Sequence, residues 1–499
     1  MNLKLYMRWA ITAILLVAMT GCEKWLDVRP ESEVGEGDMF STEQGFMDAL
    51  YGVYVSMGKN DLYGGRLPMT MDVLGKLFDV RAGNEWEYMM AYNYRAPESA
   101  GISDAIWEKL YYCISLTNNI LKHLEDETPE SLDSYWYLKG ECLALRAFLH
   151  YEIVWIFAPN IKDKPDYLSI PYRKGYSNLI DPQLKVKEVF EKILADLEEA
   201  KEALKDDVIR TETPVFVSGN VEEEQESEDV THKNENYYMS SFLSNRKYRM
   251  NYYGVLATMA RVYLDRSESN DREKAYECAM EIIESGKFRL IQRDDFMVTT
   301  ENIKKRDALF TDEFIFGVFS TSVDAWYTSY CYPASNFTSR FRLVDVREGI
   351  FEGKITDFRY QLVESDPGSY DMLLKKHTEE YENSKQKIRI LGLSEMYYIA
   401  SEIKPEKATV LMDSIARYRG ITAVINDNTS ADERMREIMK EYRKEFLADG
   451  QFFFAFKRLA KETFWESMNL GIPREDKVLV LPLPEAEIEY GDRVSEIWK

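Results

Sequence analysis

Histidine and cysteine are scarce in this chain, at 4 and 5 of 499 residues. His123, His150, His232 and His377 are scattered, without the close pair that a zinc site needs. Beyond Cys22, the cysteines Cys113, Cys142, Cys278 and Cys331 form no close-spaced metal or redox motif. Three of these four sit in apolar helical patterns, where a buried small hydrophobe explains them best. There is no glycine-rich phosphate loop and no nucleophile elbow. Metal ligands, cofactors and catalytic residues are therefore expected to be none. Positive charge is also short: 63 Lys and Arg face 86 Asp and Glu, for a net charge of −23. Such a surface repels nucleic-acid phosphates and anionic membrane faces, which sets nucleic-acid binding aside. After Cys22 no run is long and apolar enough to span a bilayer.

The chain has a marked beginning. Lys4 and Arg8 precede an apolar run from Trp9 to Met19, too short to span and followed by the small residues Thr20 and Gly21 before Cys22. This pattern is expected of a secretory signal peptide over residues 1–21. Residues 22–38 are polar and contain Pro30, Gly35 and Gly37, as in an extended tether.

The body beyond residue 39 reads as helices. Ser41, Thr42, Glu43 and Gln44 resemble an N-cap box, followed at helical spacing by Phe46, Ala49, Leu50, Val53 and Tyr54. Apolar stripes recur over Trp107–Leu124, Tyr135–Ile156 and Val186–Leu204. Helical hairpins are expected over Tyr252–Ile283, ended by Gly286, and over Leu393–Tyr418, broken by Pro405 and closed by Gly420. Such pairing predicts degenerate tetratricopeptide-like stacking, a mostly α fold with minor β structure. Residues 206–245 and 292–387 interrupt it, with strand-like alternation at Phe314, Phe316, Val318 and Phe319 leading into an aromatic loop. The acidic run from Glu222 to Asp229 reads as a solvated loop.

With 33 Tyr, 24 Phe and 9 Trp, the aromatic content favours rings that carry a polar handle. Two clusters stand out. One runs through Asp79, Arg81, Asn84, Trp86, Tyr88, Tyr92 and Tyr94, loosened by Gly83; the other runs through Asp324, Trp326, Tyr327, Tyr330, Tyr332, Asn336 and Phe337. Flat rings cover the apolar faces of sugars while amides, carboxylates and guanidinium groups satisfy the hydroxyls. The candidate ligand contacts are therefore Arg81, Asn84, Trp86, Tyr88, Tyr92, Trp326, Tyr327 and Tyr330. For any single ring, packing in a second core explains the residue equally well.

Several ordered blocks resemble the SusD/RagB family of outer-membrane nutrient-binding lipoproteins. Thr20-Gly21-Cys22 resembles the bacterial lipobox, with Met19 where Leu is commoner. Leu26-Asp27, Pro30, Phe40, Thr42-Glu43 and Ala49 to Tyr54 follow it. Further blocks are Leu145 to Phe148 with Tyr151, Ala260-Arg261, and Tyr263-Leu264. The densest stretch is Leu393 to Glu402, Arg417 to Gly420, Glu441 to Arg443, Glu445-Phe446, Asp449-Gly450 and Lys457-Arg458. Leu481 to Pro484 with Glu487-Ile488 resembles the family's C-terminal signature. Phe452, Ala455 and Gly491 depart from it at a structural corner.

The resemblance implies lipidation at Cys22, a lipid anchor in the outer membrane facing outward, and a single SusD-like body over 39–499. Within that body, 39–290 is an N-terminal part with helical repeats, 291–387 a variable insertion and 388–499 a C-terminal part. It implies helix pairs on one side, an irregular ligand-binding side, and a SusC-like TonB-dependent transporter as partner. An oligosaccharide is the expected ligand, with a peptide, as in RagB-like members, the alternative. A pure scaffold, and a glycosidase using Asp79 with Glu85 or Glu87, are the competing classes.

Overall fold

A computed structural model describes residues 36–216, 235–332, 337–422 and 425–499. The signal peptide, Cys22, most of the tether and the acidic run lie outside the described residues. The chain forms two compact units, Met1–Phe46 and Met47–Lys499. In the first, the Thr42 hydroxyl accepts from the Gly45 amide at 3.2 Å, a helix cap, and the Phe40 and Phe46 rings meet at 5.0 Å.

The helices of eight or more residues among those described are α1 (Glu43–Met57), α2 (Arg66–Leu74), α3 (Pro97–Leu124), α4 (Tyr135–Phe157), α5 (Val186–Ala203), α6 (Glu235–Leu243), α7 (Tyr252–Arg266), α8 (Asp271–Glu284), α9 (Val323–Cys331), α10 (Leu393–Ile403), α11 (Pro405–Tyr418), α12 (Ala431–Glu445) and α13 (Gln451–Arg458). Each consecutive pair in the series α3, α4, α5, α7, α8, α10, α11 packs together, which is the stack expected from the apolar stripes. In α5 the buried Val186, Val189, Phe190, Ile193, Leu194 and Leu197 form one face, and Glu188 caps the backbone amide of Lys185 at 2.9 Å. Helix α4 is buried on nearly every side from Leu138 to Phe157, as befits the centre of a stack. As expected, the hairpin is divided at Pro405, which opens α11, and Gly420 at φ +75° ends it.

The strands are short and lie in two-stranded antiparallel sheets: β1 (Phe78–Asp79) with β5 (Arg342–Leu343), β2 (Leu168–Pro171) with β3 (Gln183–Lys185), β4 (Phe314–Phe319) with β8 (Lys387–Gly392), and β6 (Val363–Ser365) with β7 (Met372–Leu374). The β4–β8 ladder leads the insertion directly into α10. The expected aromatic loop after β4 is instead the helix α9. Its residues Trp326 and Tyr330 sit one turn apart on one face, a period that the run of aromatics obscured.

A buried ion-pair network joins the insertion to the C-terminal helices. Arg419 donates to both oxygens of Glu313 at 2.7 Å and to Glu445 at 3.0 and 2.9 Å. Arg389 and Arg359 also reach Glu445. Burial alone would raise the Glu445 carboxyl, but Arg419 and Arg389 outweigh it and hold the group well below the usual carboxylate range.

Candidate functional site

The two aromatic segments, far apart in sequence, meet in space. The β1–β5 ladder, with Phe78 opposite Leu343 and Asp79 opposite Arg342, brings the chain after α2 beside the chain after α9. Trp86 lies edge-on to Trp326, Tyr330 and Phe341, with ring centres at 6.5, 5.9 and 5.0 Å. Trp326 and Tyr330 are 4.5 Å apart.

Helix α2 is the base of this cluster. The Trp86 indole N–H donates to the Thr70 hydroxyl at 2.9 Å, and the Tyr92 phenol donates to the Leu74 carbonyl at 3.0 Å. Gly65, just before α2, lies directly beneath Trp326. The helix is itself held at its far side: Asp72 accepts from the Ala448 amide at 2.7 Å, and Gly450, at φ +73°, leaves room for Pro68.

The predicted residues divide by exposure. Trp86 is fully enclosed, Asn84 is buried and Tyr327 is buried, whereas Tyr88 is 40% exposed and Trp326, Tyr330, Tyr92 and Arg81 are half-buried. Asn84 accepts from the Trp86 amide at 2.9 Å and donates to the Thr338 carbonyl at 3.2 Å, fixing the turn. Tyr327 donates to the Ala448 carbonyl at 3.0 Å and stacks on His377 at 4.3 Å. Tyr92 adopts a left-handed backbone, φ +57°, with the Lys76 ammonium 4.7 Å from its ring. Tyr94 is buried and donates to Val478, Tyr332 donates to the Thr378 hydroxyl, and Asp324 accepts from the Gln386 amide. Asn336 lies outside the described residues.

Beside the exposed rings lies a charge-balanced polar edge. Arg81 makes a two-pronged bond to Asp371 at 3.0 and 2.9 Å, with its guanidinium 3.6 Å from the centre of the Phe337 ring. Arg340 bridges Asp366, Ser369 and Asp371, and Arg342 pairs with Asp79. Arg66 and Glu85 pair loosely at 3.8 Å. Burial and then the Glu85 charge raise the Tyr330 phenol, so it is a neutral hydrogen-bonding group at any physiological pH. Of the carboxylates considered for hydrolysis, Asp79 is committed to Arg342 and Glu87 accepts from the Gly83 amide at 2.7 Å. Among the described residues no His, Cys, Asp and Glu group is placed to hold a metal ion.

Sequence reasoning passed over Gly65, Phe341, Arg340 and Asp371. The Gly64-Gly65 pair was the one local signal available for the first, since adjacent glycines mark a close approach. The others are joined to the site by contacts that no local pattern encodes.

Residues 24–218 match the family model described as "SusD-like_3: Starch-binding associating with outer membrane". A curated relative from Formosa agariphila, SusD-like protein P2, is 26% identical over 198 residues, covering 39% of this chain and 37% of that protein. The matched part thus spans little more than a third of that relative. Among solved structures, a SusD superfamily protein from Bacteroides thetaiotaomicron aligns over 90% of this chain and 98% of its own, with a TM-score of 0.66 at 19% identity. A putative sugar binding protein from Bacteroides vulgatus aligns over 83% and 86%, with a TM-score of 0.62 at 20% identity. At these identities the structures establish a shared fold, helix stack and irregular side together.

Proposed function

The chain is a SusD-like family protein, and on that premise we propose that it is a glycan-capturing lipoprotein of the outer membrane rather than an enzyme. Cys22 is the lipid attachment point, and the body acts as a lid over a SusC-like TonB-dependent transporter. The observation that carries the reading is the paired, half-buried Trp326 and Tyr330 rings over Trp86, with the exposed Tyr88 on the same segment as Trp86 and the neutralised Arg81–Asp371 pair. Rings of this kind cover the apolar face of a pyranose, and the fixed polar edge meets its hydroxyls.

Roles within the site follow from exposure. Trp326, Tyr330 and Tyr88 touch ligand; Trp86, Asn84 and Tyr327 hold those rings in place from beneath; Arg81 and Tyr92 form the margins. The starch-binding family matched over residues 24–218 and the putative sugar binding protein of Bacteroides vulgatus favour a glycan over a peptide.

Calorimetric titration of the protein with oligosaccharides and with mixed peptides, followed by mass analysis of the ligand, tests this. Heat with an oligosaccharide that remains intact, weakened in Trp326→Ala, is expected. Heat with peptides alone replaces the glycan by a peptide, cleavage of the ligand establishes an enzyme, and no heat with either removes ligand capture.

A further inference from the structure

A cleft of about 390 Å³ opens between α3 and the C-terminal segment, away from the joint aromatic surface. A neighbouring cleft of about 610 Å³ continues it, and the two share Asp104 and Arg493. Both fall in the range of cavities that take small organic ligands.

The first cleft combines ring surface with fixed polar groups. Trp107 and Tyr111, one turn apart on α3, line it together with Pro171 and Pro484. The Trp107 indole N–H donates to Glu487 at 3.3 Å, and the Tyr111 phenol donates to the Pro171 carbonyl at 2.8 Å, so both rings are held in one orientation. Arg493 pairs with Glu487 at 3.2 Å and Arg173 with Asp181 at 3.1 Å. These pairings fix guanidinium and carboxylate edges along the walls, and Asp104 and Glu108 add further acceptors, so a hydroxyl-rich ligand finds donors and acceptors already oriented while an anion is disfavoured.

Asp104, at the seam of the two clefts, is exposed and leaves its carboxylate open to accept from a ligand hydroxyl.

We propose that this cleft is a second oligosaccharide-binding site, taking a sugar against the half-buried Tyr111 ring, which the buried Trp107 backs at 4.8 Å. This rests on the glycan reading above and adds to it that one chain engages sugar at two places. The Tyr92 and Tyr94 rings meet at 6.5 Å, and Tyr94 meets Trp498, in the wall of the larger cleft, at 5.9 Å. A series of packed rings thus runs from the margin of the first site to the wall of the larger cleft. A long glycan that reaches both binds more tightly than a short one, because the second contact is intramolecular.

Gly175 lines the first cleft, and a Cβ added there meets nothing within 4 Å. Gly175→Trp therefore sets a large side chain at the lining of the cleft with no clash at its Cβ, and Asp104→Asn is a conservative second variant. Maltoheptaose, xylohexaose and mannohexaose are titrated into wild type, both cleft variants and Trp326→Ala. Wild type is expected to take up two short chains, Gly175→Trp and Trp326→Ala one each, and Asp104→Asn to bind several-fold more weakly at the cleft. For the parent long polysaccharide, Gly175→Trp is expected to lose about tenfold or more in affinity. If both cleft variants titrate as wild type while Trp326→Ala loses all binding, the second site is wrong and the glycan reading stands. Peptide binding blocked by Gly175→Trp overturns the sugar assignment of the cleft, and no binding of any oligosaccharide by wild type overturns both.

Discussion

The indole of Trp326 covers Gly65 so closely that a Cβ on residue 65 would stand 2.5 Å from its ring. The backbone at Gly65, φ 174°, is extended and open to any residue, so what the position requires is space. Gly65→Ala must push Trp326 off its seat and out of register with Tyr330. The expected result is a loss of about tenfold in glycan affinity, typical of a displaced central contact, with the helical signal unchanged. Titration beside circular dichroism reads both.

Trp86 and Trp326 are neighbours with opposite duties. Trp86 is fully enclosed and its N–H is bonded to the Thr70 hydroxyl, so Trp86→Ala leaves a cavity, removes that bond and is expected to cost about 3–5 kcal/mol of stability. Trp326 is only half-buried, so Trp326→Ala is expected to cost under half of that while weakening binding more. Denaturant unfolding and titration of the two variants separate them. Equal losses of stability would remove the distinction between supporting and contacting rings.

The fold was far more legible in the sequence than the site. The blocks that carried the family resemblance prove to be paired charges and chain turns: Glu402 with Arg458, Glu395 with Arg261, Arg419 with Glu313 and Glu445, Gly420 and Gly450 at positive φ. A buried charge admits few alternatives, so these residues leave a strong trace in the order of the chain. The ligand-facing rings leave a weaker one. Trp86 and Trp326 look alike in sequence, and what distinguishes them is the depth set by Thr70, Gly65 and Phe341, which are placed by tertiary packing. The helix α9 was missed for a related reason: Asp324 to Cys331 carries its apolar rings on more than one face, and Tyr327 turns inward toward Ala448 while Trp326 does not.

Arg419 has no exposed surface and satisfies two carboxylates at once. Arg419→Met leaves Glu313 buried without its cation and is expected to destabilise the protein by about 3–5 kcal/mol. Adding Glu313→Gln to Arg419→Met removes the stranded charge and is expected to restore part of that loss. Denaturant midpoints of the single and double variants measure the coupling, and simple additivity would show that the pair does not act as a unit.

Glu152 gives the stack a pH dependence of defined sign. It is buried in α4, its nearer oxygen is 4.0 Å from Arg261, and its other oxygen has no hydrogen-bond partner. Burial raises its carboxyl to about 7; Arg261 opposes this and the nearby Glu395 adds to it. In the unfolded chain a glutamate titrates near ~4.3. Between those values the folded state holds a proton that the unfolded state has released, so raising the pH favours unfolding. The contribution is complete at about pH 4 and is lost as the pH climbs toward 7, on the order of 3 kcal/mol for a shift of this size. Asp265, raised to about 6 chiefly by burial, adds a component of the same sign that ends earlier. Thermal midpoints measured from pH 4 to 7 are expected to fall less steeply in Glu152→Gln than in wild type across the whole interval, and above pH 6, where Asp265 has finished titrating, Glu152 supplies the remaining slope of wild type. Parallel curves for the two proteins would mean that Glu152 is ionised in the fold and compensated by Arg261 despite their separation.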